Sequence, residues 1–299
     1  MKLVTGGGFP MSLKRIAVVG GDKRLSELAA LYASDGTYVS TYGVHVSKES
    51  DFIFSFPSIT DALQDVNICI GPIPFSKDGK NIFIESGKPL LIDEFLNAIP
   101  KNIPLFAGSI SADVHNKIDE YGIRIFDLMD REEFAVLNAI ATAEGTVEIA
   151  LREMPITINE SLCLVLGYGR IGRIVSSLLK SMGANVWVEA RKPSDYAWIR
   201  ARGMNTLPLS QLQNFMTYPD LIINTVPAKI LDGNLIRYIH KDTLIIDIAS
   251  APGGVDFAAC KQYGIKAIHA LGLPGKIAPR SAATYIKDTI KNILYELNF

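Results

Sequence analysis

Two stretches of the chain open in the same way, as an apolar run, then glycine, then a helical pattern. The first is Lys14 to Gly21 (KRIAVVGG), followed by DKRLSELAALYAS. The second is Ser161 to Gly172 (SLCLVLGYGRIG), followed by RIVSSLLKSMG. After the first come β-rich runs at Thr37 to Val46, Val66 to Gly71, Pro89 to Ile92, Ile103 to Ala107 and Ile123 to Phe126, with a helical stretch at Ser111 to Tyr121. After the second, strands are expected at Asn185 to Glu189, Leu221 to Asn224, Leu244 to Asp247 and Ala267 to His269. Helices fit near Asp195 to Arg202, Leu209 to Met216, Asn234 to His240 and Phe257 to Tyr263. Alternating strands and helices make a parallel sheet with helices on both faces. The chain of 299 residues is longer than one core usually fills. The expected fold class is therefore α/β: two doubly wound parallel-sheet (Rossmann-like) domains with a cleft between them.

The segment joining the halves predicts a helix. Asp130-Arg131-Glu132-Glu133 reads as a capping box, an acceptor at the N-cap with a carboxylate three residues on. Apolar residues then recur at Phe134, Leu137, Ile140, Val147, Leu151 and Met154, and Pro155 ends the pattern. Such a helix is about 35 Å long, enough to run from one domain to the other. Glu144-Gly145-Thr146 interrupts the stripe, either as a solvated turn or as a polar face turned to the cleft. A glycine inside a helix costs ~1 kcal/mol and wants a reason. Ser281 to Leu297 is again amphipathic and is expected to pack back on the first domain. The domain plan is a leader at 1–11, an N-terminal substrate domain at 12–130, a linking helix at 131–153, a cofactor domain at 154–280 and a C-terminal helix at 281–299. Residues 1–11 (MKLVTGGGFPM) read as an appended leader without the apolar core of a signal peptide.

Lys plus Arg total 30 and Asp plus Glu 31, a balance that argues against a nucleic-acid surface. Cys69, Cys163 and Cys260 are sparse and odd in number, which fits a reducing cytoplasm rather than a disulfide framework. Cys69 and Cys163 sit in apolar runs and read as buried strand residues. His45, His115, His240 and His269 show no metal-ligand spacing, so no metal is expected. No unbroken apolar run approaches the ~20 residues of a membrane span, so no membrane partner is expected.

Gly167-Tyr168-Gly169-Arg170-Ile171-Gly172 is a G-x-G-x-x-G between a strand and a helix, the context a dinucleotide site requires. Gly167 permits the tight turn, Gly169 lets backbone approach a pyrophosphate, and Gly172 lets helix and strand pack closely. The helix N-terminus then faces the phosphates. Val19-Gly20-Gly21-Asp22 lacks this spacing and reads as a structural turn or the edge of a substrate cleft. The second strand of the cofactor half ends Glu189-Ala190-Arg191-Lys192. The acid that an NAD site places on the ribose hydroxyls aligns with Ala190, and Glu189 falls on the opposite strand face. Arg191 and Lys192 suit a ribose 2′-phosphate, so NADP is favoured over NAD. Asn224, Thr225, Val226 and Pro227 end the next strand, and Asp247 and Ser250 the one after, at the edge where open α/β sheets bind ligands.

Several stretches together resemble one family, the A subunits of dipicolinate synthase from endospore-forming bacteria. They are IAVVGGDKR (16–24), DREEFAVLNAIATAEGT (130–146), VLGYGRIG (165–172), INTVPAKIL (223–231), IIDIASAPGGVDF (245–257) and GLPGKIAPRSAATYI (272–286). The resemblance implies an oxidoreductase of dipicolinate biosynthesis in sporulation. The substrate would be the cyclic imine dicarboxylate formed from aspartate semialdehyde and pyruvate, or its dehydrated form, dihydrodipicolinate. The product would be dipicolinate, with hydride passing to NADP. The B subunit of dipicolinate synthase, in a heteromeric complex, and the mother-cell cytoplasm are implied with it, and a homo-oligomer is expected.

A dicarboxylate needs cations or clustered N–H and O–H donors. Candidates in the family-like stretches are Ser109, Ser111, Arg131, Asn138, Thr142, Lys276 and Arg280, with His115 and Glu144 as candidate bases. Each has a plainer reading. Arg131 could pair with nearby acids, Ser111 could cap the helix beginning at Ala112, and His115 could lie on the surface. Asn138 and Thr142, four apart, share one helix face. The alternatives are a 2-hydroxyacid or amino-acid dehydrogenase of the same plan, or a non-catalytic protein that only binds NADP. His269 lacks the nearby acidic partner that a 2-hydroxyacid dehydrogenase would be expected to give it.

Overall fold

Each strand–glycine–helix unit seeds its own sheet in the computed structural model, which describes residues 14–46 and 48–298. The expected leader at 1–11 lies outside the described residues. The first sheet holds β1 (Arg15–Val19), β2 (Tyr38–Tyr42), β3 (Ile53–Ser55), β4 (Ile68–Ile70), β5 (Leu105–Ala107) and β6 (Ile125–Asp127). The second holds β7 (Leu162–Leu166), β8 (Asn185–Glu189), β9 (Asn205–Leu207), β10 (Leu221–Asn224), β11 (Leu244–Asp247) and β12 (Lys266–His269). The helices are α1 (Lys23–Ser34), α2 (Ile59–Ala62), α3 (Ile92–Ala98), α4 (Ala112–Glu120), α5 (Glu132–Glu153), α6 (Arg170–Ser181), α7 (Pro193–Ala201), α8 (Leu212–Phe215), α9 (Gly233–Ile236), α10 (Phe257–Tyr263), α11 (Leu273–Ile277) and α12 (Pro279–Glu296). All pairings between these strands are parallel. The orders are β3-β2-β1-β4-β5-β6 and β9-β8-β7-β10-β11-β12, the same doubly wound plan twice. Its switch points lie between β1 and β4 and between β7 and β10.

Strand alternation explains the unbroken apolar runs. Ile16 and Val18 enter one core and Ala17 and Val19 another, on the opposite face. Cys163 and Val165 divide from Leu164 and Leu166 in the same way. A sheet covered on both faces has no polar side to expose. The three cysteines are free and buried. Burial pushes the Cys163 and Cys260 thiols each up to about 11.

The chain divides into two units, Asn138–Ile277 and the described residues on either side of it. The division falls inside α5, and α12 belongs with the first sheet. Ile286, Ile290, Ile293 and Leu294 of α12 share a core with Leu25, Leu28 and Tyr32 of α1. Lys287 Nζ reaches Asp35 at 2.7 Å and the Leu31 carbonyl at 2.9 Å. The helix begins at Pro279, so Arg280 stands in its first turn and not in the loop that closes the second unit.

Three local expectations are corrected. The capping box at Asp130 does not form. Leu128–Asp130 winds as a 3₁₀ turn capped by Asp127, which accepts from Met129 N–H at 2.8 Å, and the Arg131 carbonyl accepts the first α5 bond, from Ala135. Pro89 to Ile92 is not a strand: Leu91 makes a lone bridge to Asn81, and Ile92 already begins α3. The Glu144–Thr146 interruption is not polar throughout: α5 is continuous, Glu144 is exposed, and Thr146 is buried. Gly145 is buried, and a Cβ there would stand 3.1 Å from Leu273 and 3.2 Å from Ile277, so the glycine lets α11 lie on α5. Among the described residues α5 alone has the length and apolarity of a membrane-crossing helix. Its Phe134, Ala143 and Ala150 are buried in the protein's own cores.

Two substitutions test this packing by chemical denaturation. Ile290→Ala, at a fully buried α12 position, is expected to cost ~2–5 kcal/mol. Gly145→Leu is expected to cost ~1–3 kcal/mol through overpacking against α11, and an unchanged midpoint would contradict the close approach.

Candidate functional site

The turn from β7 to α6 is built from three glycines with three different surroundings. Gly167 has φ +90°, and a Cβ there would lie 2.6 Å from Val226 and 2.7 Å from Thr225 Oγ1. At Gly172 a Cβ would run into the Gly167 carbonyl oxygen. At Gly169 a Cβ would meet nothing within 4 Å. Two glycines are therefore required by the protein's own packing, and the middle one faces open space. Gly169 is also the N-cap of α6 and brings no capping side chain. The positive end of a twelve-residue helix thus stands beside a backbone surface that an anion can approach.

The first unit's equivalent turn is closed by its own chain. Gly20 (φ +66°) and Gly21 (φ +88°) lie against residues 82–85: Gly21 N–H donates to the Phe83 carbonyl at 2.7 Å, and Glu85 N–H to the Gly21 carbonyl at 3.0 Å. Asp22 caps α1 and pairs with Arg24, Nε to Oδ1 and Nη2 to Oδ2 both at 2.8 Å. Arg24, 4% exposed, also donates to the Ile73 carbonyl across the β1–β4 switch point. This pair is not among the residues expected from sequence, although it leaves a signal there: an Asp at a helix cap with an Arg two residues on.

Across the second switch point, polar side chains hold the β10 and β11 ends. Asn224 and Asp247 are fully buried. Asn224 Nδ2 donates to Asp247 Oδ1 at 2.8 Å and to the Val226 carbonyl at 3.0 Å. Asp247 accepts from Ala249 N–H at 3.2 Å and Gly254 N–H at 3.1 Å. Thr225 Oγ1 donates to the Leu166 carbonyl at 2.8 Å. Asn224 and Asp247 are tied up inside the fold, and the hydroxyl of half-buried Thr225 is tied to the β7 end. They fix the edge that Val226, Pro227 and Ser250 expose. Gly254, also unmarked from sequence, packs where a Cβ would stand 2.6 Å from the Val226 carbonyl.

The β8 end carries the cations. Arg191 and Lys192 are exposed, and Lys192 is the N-cap of α7. Ala190 is buried, and its carbonyl accepts from Tyr196 Oη at 2.6 Å. Glu189, 1% exposed, shares its strand face with Trp187, and its Oε1 has no hydrogen-bond partner among the described residues. Burial pushes its carboxyl above the usual range, against the opposing pull of the Arg191 charge and the Gly167 N–H. Tyr168 is buried, so its side chain does not line the open face of the glycine turn.

The remaining candidates are scattered in role. Arg131 spends its fork internally: Nη1 and Nη2 each meet a Glu296 oxygen at 2.7 Å, and Nε meets Glu133 at 2.8 Å. It ties the start of α5 to α12. Ser111 caps α4 by accepting from Val114 N–H at 3.4 Å. His115 is exposed on α4, where its Nδ1 lies 3.3 Å from Asp119 Oδ2 in a surface pair. Ser109 holds φ +54°, and its N–H donates to Asp127 at 3.1 Å. Asn138 Oδ1 is buried without a hydrogen-bond partner among the described residues, while Thr142 Oγ1 donates back to the Asn138 carbonyl at 3.0 Å. Glu144, Lys276 and Arg280 are exposed. The His269 ring lies tilted beside Phe257, with 5.4 Å between ring centres.

A doubly wound sheet with an open glycine turn at its switch point defines a dehydrogenase-like, dinucleotide-binding fold. L-alanine dehydrogenase shares it, with a TM-score of 0.65 at 12% identity over 95% of this chain and 89% of that one. Residues 15–129 match the N-terminal domain of the dipicolinate synthase A subunit. The dipicolinate synthase A subunit of Bacillus subtilis (strain 168) is 29% identical over 95% of this chain and 96% of its own length. The crystal structure of the dipicolinate synthase A subunit from Bacillus halodurans superposes with a TM-score of 0.85 at 26% identity, covering 95% of this chain and 99% of that one. Over nearly its whole length the chain is similar to dipicolinate synthase A subunits, and residues 15–129 match the N-terminal domain of that family.

The glycine roles separate experimentally. Gly172→Ala is expected to lower the melting temperature, because its Cβ meets backbone. Gly169→Ala is expected to leave it unchanged, because its φ is ordinary and its surroundings are open. Equal melting temperatures for the two variants would contradict the assignment. The Arg131 tie has a pH signature. Hydrogen bonds from Arg131 hold the Glu296 and Glu133 carboxyls below their usual range. Their stabilisation is present above the unfolded carboxylate value of about 4.3 and is lost as pH falls through the lowered folded values. The melting temperature of Arg131→Met should lie below that of the parent at pH 7 and meet it in acid; a constant gap would contradict the tie.

Proposed function

We propose that the chain is the NADP-dependent dehydrogenase component that forms dipicolinate. Its substrate is dihydrodipicolinate or the hydroxylated precursor. Similarity to the dipicolinate synthase A subunits supports the substrate. The observation that carries the cofactor is the open glycine turn followed by a β8 end with alanine in the acid position and two exposed cations beyond it.

The residues present fit the dinucleotide. Gly169 and the α6 N-terminus would take the pyrophosphate, and Arg191 and Lys192 the 2′-phosphate, through charge-assisted bonds. Val226, Pro227 and Ser250 would line the edge toward the nicotinamide ribose. When bound, the nicotinamide supplies the acceptor for the hydride that the substrate releases. Aromatisation of the ring drives the reaction, so the protein's task is chiefly to hold that ring in a reactive orientation. Lys276, on α11, is an exposed cation proposed for a substrate carboxylate. Glu144, exposed on α5, can take the proton released on oxidation.

A partner, the B subunit of dipicolinate synthase, follows from the family name, and the mother-cell cytoplasm of a sporulating bacterium is the proposed location. The test couples dihydrodipicolinate synthase to the purified chain with NADP. Dipicolinate absorbance and NADPH are expected to rise together. Neither product, even when the B subunit is present, would overturn the proposal. Arg191→Ala should weaken NADP binding by about tenfold, the low end for a charge-assisted bond, and leave NAD unchanged. Equal loss for both cofactors would overturn the 2′-phosphate assignment.

A further inference from the structure

The residue between the first two motif glycines is held by two arginines from different elements. Arg173, in the first turn of α6, donates from Nε to the Tyr168 carbonyl at 3.1 Å, and its guanidinium lies 5.3 Å from the Tyr168 ring centre. Arg202, the C-cap of α7, donates from Nη1 to Tyr168 Oη at 3.1 Å. The ring itself is 5% exposed and packs with Val188, Ala190 and Ile199. Arg173 Nη2 also reaches Asp195 of α7 at 3.0 Å.

These bonds join two places that the cofactor reading keeps separate. The glycine turn would grip a pyrophosphate. The β8–α7 connection, Ala190 to Lys192, would grip a 2′-phosphate. The near end of α7 is tied to the strand by Tyr196 Oη on the Ala190 carbonyl. The far end is tied to the glycine turn by Arg202 on Tyr168. Helix α7 is thus fixed at both ends, and its N-cap, Lys192, has a set position relative to Gly169.

We infer that the Tyr168–Arg202 pair is a positioning latch that sets the spacing between the pyrophosphate grip and the 2′-phosphate grip, and so determines selectivity for a 2′-phosphorylated dinucleotide. The inference rests on the proposed NADP reading and deepens it. A ligand held at both grips depends on their separation. One held at the glycine turn alone does not. Loosening the latch therefore acts on NADP and spares NAD. Tyr168 and Arg202 touch neither phosphate; they act through the elements that do.

The test measures dissociation constants of NADP and NAD by calorimetry, without substrate, on the full chain. The parent protein is measured first: if it binds NADP no better than NAD, the underlying cofactor reading fails, and the latch with it. Given a preference, Tyr168→Phe, which removes the hydroxyl alone, is expected to weaken NADP by about tenfold and NAD by less than about twofold. Arg202→Met should do the same, Arg202→Lys should restore most of the preference, and the double variant should be no worse than either single one. Should Tyr168→Phe fail to fold, the two Arg202 variants decide. An unchanged NADP-to-NAD ratio, equal losses for both cofactors, or additive losses in the double variant would each overturn the inference.

Discussion

The contact between Gly172 and the Gly167 carbonyl is the constraint on which the second unit's site depends. It brings the first turn of α6 against the end of β7, closer than any side chain permits. That approach aims the helix N-terminus at the switch point and leaves Gly169 facing outward. The first unit follows the same strand order without this contact. There the two glycines serve the protein's own backbone, with residues 82–85 laid across them. The same topology thus yields one turn open to an anion and one that is filled.

The edge facing the open turn is rigid for a separate reason. Asn224 and Asp247 are polar groups at the ends of two fully buried strands. Their oxygens and nitrogens are satisfied by each other and by the N–H groups of Val226, Ala249 and Gly254. Leaving either unpaired would carry the full desolvation cost of a buried polar group, so the network fixes the loops in one arrangement. The side chains of Asn224 and Asp247 thereby shape the backbone surface of this edge.

Central strands were legible because an apolar run buried on both faces has no competing explanation. Asn185–Glu189, Leu221–Asn224 and Leu244–Asp247 match their expected bounds. The edge strands β3 and β9 were not anticipated, being three residues long with partly exposed side chains. The glycine turn was legible because Gly167 and Gly172 are each required by close packing at a strand-to-helix turn. Charged residues were the least legible. Arg131 and Arg191 look alike in sequence, yet one is locked between two glutamates that lie 2 and 165 positions away and the other stands exposed. Sequence spacing does not reveal a partner on a helix at the other end of the chain.

Amide hydrogen exchange with and without NADP tests the central claim, that the second glycine turn and not the first takes the dinucleotide. Saturating NADP is predicted to slow exchange over 167–172 and 190–193 and to leave 20–24 unchanged. Protection at 20–24 with none at 167–172 would contradict the account.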